Sequence, residues 1–332
     1  MYLLATFLTT HFGEWRQTWH GMPRQTRVGG SLAQRVPVEN EGALALLDWD
    51  SKSVVWTLTL DTPAGFCLVG DEILVASMYG NKVVRMGPDL SVRGSVVHGL
   101  MNDLHGITQT PRGILLASSG VDGLLELTLD GNLLWSWLGP ENGYKVTPQG
   151  TRRRVDRSGD HRIAGIATDL QATHCNSAVR TGDSVVLATL FHQGQIIQLE
   201  RDGRRPQVLL FGMTHPHSLR RRSRGWLVCD SRPGSVVLLG EDFWVEGLIE
   251  DGFNWVQDAV ETEPDRILIA DANNARIVDW DVRAGHAVDE LRYPEEWKIY
   301  QFDAVSPAWE QRLLASAGAV LGSGRNGQGR EG

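Results

Sequence analysis

A short apolar segment that recurs at a nearly constant interval is the feature that most constrains this chain. Within Asn254–Asp281, the segment Leu268–Asp271 reads as the middle of three short strands. Similar segments start at residues 74, 115, 186, 227 and 313, so that consecutive starts lie 41, 71, 41, 41 and 45 residues apart. Three short strands are not stable alone and need neighbours of the same kind. The chain is therefore built from repeats, and one repeat carries an insertion.

A period of roughly 40–50 residues with several strands per unit predicts an all-β chain folded as a β-propeller. A second column, ten residues upstream of the segments, marks the start of each innermost strand: Ala64, His105, Asn176, His217, Asp258 and Asp303. Six such positions predict six blades. Leu3–Thr6 resembles a further copy of the middle segment and leaves seven blades as the alternative. In a six-bladed ring, the closing blade combines C-terminal inner strands with N-terminal outer strands.

The domain organisation follows from the interruptions of the repeat. We expect one propeller domain over residues 1–321, with insertions near residues 11–41 and 139–170, and a disordered Gly-rich tail at residues 322–332. Loops as long as 139–170 are either functional or poorly ordered, and we favour a lid or rim loop at the channel mouth. The clusters Arg152–Arg154 and Arg220–Arg224 are expected in solvated loops, with a patch for an anionic ligand as the alternative.

Composition excludes several classes of function. The net charge of −8 argues against a nucleic-acid-binding role. The three cysteines are far apart and odd in number, which favours packed thiols in a reducing compartment. No signal peptide is recognised, and no apolar run approaches the length of about 18 residues that a spanning helix needs. We therefore expect a cytoplasmic protein that binds neither nucleic acid nor membrane.

One repeat carries a resemblance to known propellers. The run Ile269–Ile277, IADANNARI, is similar to NHL repeats, and the region Asp61–Ser306 resembles six-bladed propellers of the gluconolactonase/strictosidine-synthase-like and NHL-repeat kind. In those propellers an Asn, Asp, Glu or His opens each innermost strand and faces the central channel. The gluconolactonase-like group would imply a divalent ion over the channel and hydrolysis of a small cyclic ester.

Individual positions agree with that group only in part. Asn176 and Asp258 stand where it has metal-ligating Asn and Asp, whereas His105 and His217 depart from its pattern. Ala64 stands where a Glu is expected. The histidines resemble instead the peptidyl-hydroxyglycine amidating lyases, which place His from several blades on a zinc ion but are secreted and disulfide-bonded.

The starts of the inner strands converge on one channel and predict a site there. Asp103, His174 and His215 precede three of these positions by two residues, which places them on the same side of an extended strand. Neutral imidazoles with one or two carboxylates suit zinc, iron or a similar divalent ion, whereas Ca²⁺ prefers oxygen ligands. The predicted metal site consists chiefly of His105, His174 and His217, with Asn176 and Asp258 nearby. Asp303 or His215 is the candidate general base.

These residues favour a metal-dependent hydrolase or lyase acting on a small molecule in the channel. Polar residues at strand starts also cap strands and bind channel water, so a structural role is the alternative for each residue. A non-catalytic propeller that binds a protein or peptide on one rim is the second functional hypothesis. A module for a small anionic ligand is the third. The sequence motifs of P-loop NTPases, Rossmann dehydrogenases and α/β-hydrolases are missing.

Overall fold

A ring of six antiparallel sheets forms the protein. The computed structural model describes residues 1–14, 41–163, 165–203 and 205–323. Each sheet has four strands, and the fold is a six-bladed β-propeller, which confirms the all-β prediction and the six-blade count. Most of the expected insertion near 11–41 lies outside the described residues, as does residue 324 onward of the expected tail.

The strands of the first half are, in chain order, β1 (Tyr2–Phe7), β2 (Glu41–Asp48), β3 (Ser53–Asp61), β4 (Pro63–Val69), β5 (Glu72–Ser77), β6 (Lys82–Met86), β7 (Val92–Val96), β8 (Leu104–Thr110), β9 (Gly113–Ser118), β10 (Gly123–Leu127), β11 (Leu133–Leu138) and β12 (Cys175–Arg180). The second half comprises β13 (Val185–Leu190), β14 (Gln195–Glu200), β15 (Gln207–Leu210), β16 (Pro216–Arg222), β17 (Gly225–Asp230), β18 (Ser235–Leu239), β19 (Val245–Glu250), β20 (Val256–Glu263), β21 (Arg266–Asp271), β22 (Arg276–Asp281), β23 (His286–Arg292) and β24 (Ile299–Ala304). One α-helix, α1 (Pro307–Ser323), follows.

The ring is closed by a blade that combines both ends of the chain. Its strand order is β24-β1-β2-β3, while the other five blades each use four consecutive strands. β1 pairs antiparallel with β24, so that Ala5 lies opposite Phe302. Both side chains are fully buried. This is the closing blade that the six-blade count predicts, and Leu3–Thr6 is its second strand.

The structure corrects the prediction for the last segment of the repeat. Leu313–Ser316 lies in helix α1, where a strand was expected. A four-residue apolar run fits either structure, and the preceding Pro307 is well suited to the first position of a helix. Leu313 is fully buried, and its carbonyl accepts a hydrogen bond from Trp56 Nε1 at 3.2 Å. Within the described residues, no helix combines the length and the apolar character that crossing a bilayer requires.

The hydrophobic core lies between adjacent blades. Every residue of β5 and β17, both second strands of their blades, is buried, whereas the outer strand β7 is mostly exposed. Second strands are covered on both faces by neighbouring sheets, which is why the recurring segments are continuously apolar. Burial of each Leu or Ile side chain stabilises the fold by roughly 1.5–3 kcal/mol. The side chains of the inner strands line the channel.

Candidate metal centre in the channel

Six equivalent positions on the inner strands form a ring of side chains around the channel. Strand pairing aligns the second residue of each inner strand: Ala64, His105, Asn176, His217, Gln257 and Tyr300. We call these six residues the inner ring. Four of the six predicted starts belong to it. The blades beginning at β20 and β24 contribute Gln257 and Tyr300 where the sequence spacing pointed to Asp258 and Asp303.

Both displacements have a structural cause. A register shift between Glu261 and Glu263 adds one residue between β20 and its neighbour, so Asp258 lies one position beyond the ring. The position of Asp303 was counted back from Leu313, which lies in a helix and carries no strand register. Asp303 therefore lies three residues beyond Tyr300, roughly 10 Å further along the strand.

A second set of residues stands immediately before the inner strands, at the channel mouth. We call it the rim: Thr62, Asp103, His174, His215, Trp255 and Lys298. Four of these residues, Thr62, Asp103, His174 and Trp255, have positive φ angles between 41° and 65°. Such angles are uncommon for residues other than glycine and occur often at functional sites. These four residues are therefore not extended, although the sequence pattern placed Asp103 and His174 on an extended strand.

Buried carboxylates hold the rim backbone in this conformation. Asp122 Oδ1 accepts hydrogen bonds from the backbone N–H of Thr173 at 2.7 Å and of His174 at 3.3 Å. Asp230 Oδ1 does the same for His215 at 2.8 Å. Because Asp122 is fully buried, the bonds that it accepts are strong, and they fix the rim histidines before any ligand binds.

Rim and inner ring meet in a cluster of three buried side chains that can hold a metal ion. One ligand atom from each of Asp103, His105 and His174 lies within 4.8 Å of the others. Both imidazole Nδ1 atoms are 3.9 Å from an oxygen of Asp103. The two rings are in edge-to-face contact, with centroids 4.6 Å apart. All three residues are at most 8% exposed.

Hydrogen bonds fix the tautomer of His105. Its Nδ1 is 2.9 Å from the carbonyl of Asp103 and 3.0 Å from Ser119 Oγ. Ser119 donates its own proton to the carbonyl of Cys175, so its oxygen is an acceptor toward the imidazole. Nδ1 therefore carries the hydrogen, and the lone pair of His105 is on Nε2. Partners of this kind orient and strengthen imidazole ligands in metal sites.

The same arrangement is repeated two blades further on. His217 Nδ1 is 3.1 Å from the carbonyl of His215 and 2.7 Å from Ser231 Oγ, which donates to the carbonyl of Val256 at 2.6 Å. In both blades the serine follows its histidine by 14 residues. Sequence reasoning missed Ser119 and Ser231, although this equal spacing could have revealed them.

A glutamine orients the third imidazole. His174 Nδ1 lies 2.6 Å from Gln171 Oε1, while Gln171 Nε2 donates to Asp103 Oδ2 at 2.8 Å. Since the amide nitrogen donates to the carboxylate, its oxygen must accept from Nδ1, and the lone pair of His174 is again on Nε2. Gln171 is fully buried and was also missed from the sequence.

Burial keeps His174 and His217 neutral. It lowers the pKa of His174 well below the usual value for histidine, and neighbouring histidines act in the same direction. Burial likewise lowers the pKa of His217 to about 3. The pKa of Asp103 is raised by burial, an effect that His105 and Gln171 partly oppose. Neutral imidazoles beside one carboxyl group are the donor set of zinc or iron sites, and calcium would require more oxygen ligands.

Aromatic rings surround the remaining rim histidine. His215 stacks on Phe191 with ring centroids 4.0 Å apart and a 4° angle between the planes. Phe191 also makes edge contacts with His174 and His217, at 4.9 Å and 5.4 Å. Among the described residues, no partner binds His215 Nδ1. Burial lowers the pKa of His215. His215 and His174 therefore both contact the Phe191 ring.

The insertion between β11 and β12 packs against this same rim. Asn102 Nδ2 donates to the carbonyl of His161 at 2.7 Å, and Asn81 Nδ2 donates to that of Arg162 at 2.8 Å. Arg153 Nε binds Asp122 Oδ2 at 3.0 Å. Arg153 was expected in a solvated cluster, and its side chain is only 18% exposed. The segment therefore packs against residues that adjoin or hold the rim positions Asp103 and His174.

A different group of charges lies further along the channel. Arg220 donates to both oxygens of Asp258, at 2.9 Å and 2.6 Å, and to Asp303 Oδ2 at 3.1 Å. Asp258 also accepts hydrogen bonds from Ser218 and from the backbone N–H of Phe302. The structure therefore brings Asp258 and Asp303 together around Arg220. The prediction of a solvated loop is wrong for Arg220.

Comparison with known proteins supports the fold. No protein-family model matches the chain, and no curated protein matches its sequence. A protein of unknown function from Bacteroides caccae superposes with a TM-score of 0.59 at 13% identity, over 91% of this chain and 97% of that chain. A chain of a nidogen/laminin complex gives a TM-score of 0.58 at 12% identity, over 79% and 94%. A streptogramin B lyase gives 0.53 at 9% identity, over 76% of each chain. The superpositions show a shared fold. At identities this low they show nothing more, and function must be argued from the site.

Proposed function

We propose that this propeller is a metal-dependent enzyme, a hydrolase or lyase acting on a small molecule at the rim of its channel. One observation carries the proposal: three buried side chains, Asp103, His105 and His174, converge within 4.8 Å, and hydrogen bonds leave the Nε2 lone pair of both imidazoles open. A site preset in this way has the character of a ligand set. The streptogramin B lyase shows that the fold is compatible with lyase chemistry.

The residues fit a zinc-like or iron-like ion. His217, which has the same preset tautomer and also contacts Phe191, is not among the three residues whose ligand atoms lie within 4.8 Å of one another, and we propose it as a fourth ligand. Asp258 is not part of the set that we propose, since Arg220 occupies both of its oxygens. When bound, such an ion polarises a carbonyl or lowers the pKa of a water molecule.

His215 is the proton acceptor in this proposal. Its Nδ1 has no partner within the described part of the chain, and stacking on Phe191 fixes the ring. Asp303, the other sequence candidate, is paired with Arg220 and lies beyond the inner ring. The aromatic walls formed by Phe191, Trp255 and Tyr300 limit access of bulk water and suit a small, partly apolar substrate.

The test is a zinc titration of chelator-treated protein by calorimetry. We expect one site per chain, with an affinity that falls at least about 100-fold in His174→Ala. His286→Ala is the matched control, because His286 is exposed on the outer strand β23 and should leave the affinity unchanged. Equal zinc affinity in His174→Ala and the parent protein would overturn the assignment.

A second candidate function is a scaffold that binds a protein partner. Phe211 and Trp244, which follow β15 and precede β19 in adjacent blades, are 77% and 76% exposed. Large exposed aromatic side chains are typical of interaction surfaces. If the chain is a scaffold, Phe211→Ser combined with Trp244→Ser abolishes association with the partner, whereas removal of metal has no effect on it.

A further inference from the structure

The channel contains a cavity of about 360 Å³ on the side of the inner ring away from the histidine cluster. Its wall includes Asn176, His217, Arg220, Asp258, Tyr300 and Asp303. A volume of this size is at the lower end of the range for small-molecule pockets. The cavity shares His217 with the proposed ligand set, but its wall does not include Asp103, His105 or His174, the three clustered residues of the proposed metal centre.

The cavity wall contains two arginines and two aspartates, and one of the arginines is paired with a carboxylate outside the wall. Arg220 is neutralised by the bidentate contact with Asp258, which is 1% exposed. Asp303 adds a second carboxylate, 44% exposed, of which only Oδ2 is bonded within the described residues. Arg221 also lines the cavity, but its guanidinium is paired with Glu241. One carboxylate charge therefore remains for a ligand.

A buried acceptor points to the same ligand chemistry. Asn176 is 2% exposed, and its Nδ2 donates to the carbonyl of Pro216 at 3.2 Å. Its Oδ1 has no hydrogen-bond partner in the part of the chain that the structure describes. A buried amide oxygen without a donor destabilises the folded chain, and a bound donor group removes that cost.

From these observations we infer that the cavity is a binding site for a small organic cation of the primary ammonium class. Asp303 supplies the compensating charge, Asn176 Oδ1 accepts an N–H, and the walls at Tyr300 and Ile107 accommodate a short alkyl chain. Because Asp258 is already paired with Arg220, it is not available to the ligand. Arg220 also holds the Asp303 carboxylate in place. The proposed contacts of the ammonium group use none of the clustered residues Asp103, His105 and His174.

The probe for this site is n-butylammonium chloride, with 1-butanol as the neutral analogue of the same shape. Calorimetric or NMR titration of chelator-treated protein should show binding of n-butylammonium at least tenfold tighter than of 1-butanol. Asp303→Asn should weaken n-butylammonium binding at least tenfold. Asp289→Asn is the matched control, because Asp289 is also a half-exposed carboxylate with one cationic partner and lies on the outer strand β23.

Two further variants make the outcome decisive. Asn176→Ala should also weaken n-butylammonium binding, which keeps the inference testable if Asp303→Asn does not fold. His105→Ala should bind the ammonium ion as the parent does, so a failure of the metal proposal is separable from a failure here. Equal binding of butanol and butylammonium, no binding of either, or full binding by Asp303→Asn and Asn176→Ala would overturn the inference.

Discussion

The two ends of the channel hold similar residue types, but their polar atoms are used differently. At the rim, Asp103, His105 and His174 keep acceptor atoms open while their other polar atoms are fixed by hydrogen bonds. Beyond the inner ring, Arg220 and Asp258 satisfy each other and the backbone around them. The clustered residues at the rim are incomplete without a ligand, whereas the Arg220–Asp258 pair is complete by itself.

The contrast separates a structural from a functional use of buried charge. A buried ion pair whose atoms are all bonded joins blades, since Arg220, Asp258 and Asp303 come from three different blades. A buried set of lone pairs without hydrogen-bond partners is costly in the folded chain unless something binds there. We therefore expect mutations at the two ends to affect different measurements.

The largest effect on stability is expected for Asp258→Asn. The substitution leaves the Arg220 guanidinium buried without its bidentate partner, which should lower the free energy of unfolding by about 3–5 kcal/mol. Urea denaturation followed by tryptophan fluorescence measures this loss. Asp289→Asn, which removes a half-exposed carboxylate, should change it by about 0.5 kcal/mol or less. A loss below about 1 kcal/mol for Asp258→Asn would contradict the claim that the Arg220–Asp258 pair has a structural role.

Zinc should stabilise the rim end and do so only through the histidine cluster. At a free concentration 100 times the dissociation constant, bound zinc adds about 2.7 kcal/mol to the free energy of unfolding. His105→Ala should abolish this increment, whereas Asp258→Asn should retain it because its defect lies elsewhere. Thermal denaturation with and without zinc measures both. Retention of the increment in His105→Ala would contradict the separation of the two ends.

A matched serine pair distinguishes the ligands. Ser119→Ala removes one acceptor from Nδ1 of His105 and should lower zinc affinity about tenfold. Ser231→Ala makes the same change behind His217 and should have a similar effect, because His217 is a ligand in our proposal. Zinc titration of both variants measures the two affinities. If only Ser119→Ala weakens binding, His217 lies outside the ligand set.

The smallest effect concerns cysteine labelling. Cys175 adjoins His174 at the rim, Cys229 lies on β17 of the blade that contains Arg220, and both are fully buried. Each thiol can react only after local opening. Zinc should slow the labelling of Cys175 by a larger factor than that of Cys229, as measured by mass spectrometry of peptides. Equal protection of both thiols would mean that metal binding is not local to the rim.

The fold was predictable from the sequence because the second strands are buried on both faces and therefore repeat as continuous apolar segments. The same signal failed at Leu313, where the three apolar residues of the segment belong to a helix. The closing blade was predictable because the number of inner strands has to equal the number of blades.

The candidate site was predictable only in the blades without irregularities. The spacing located His105, Asn176 and His217 in the inner ring, because those blades keep the ten-residue interval. It missed Gln257 and Tyr300, since a bulge and a helix each broke the register. The positive φ angles of the rim and the pairing of Asp258 with Arg220 arise from long-range contacts that no local pattern records.

The most direct test of the central claim is elemental analysis of the untagged protein as purified, beside His105→Ala, His174→Ala and the exposed control His286→Ala. Our account predicts close to one zinc or iron atom per chain in the parent protein and in His286→Ala, with little metal in the other two variants. Folded parent protein that contains no transition metal and takes up none when zinc or iron is added would contradict it.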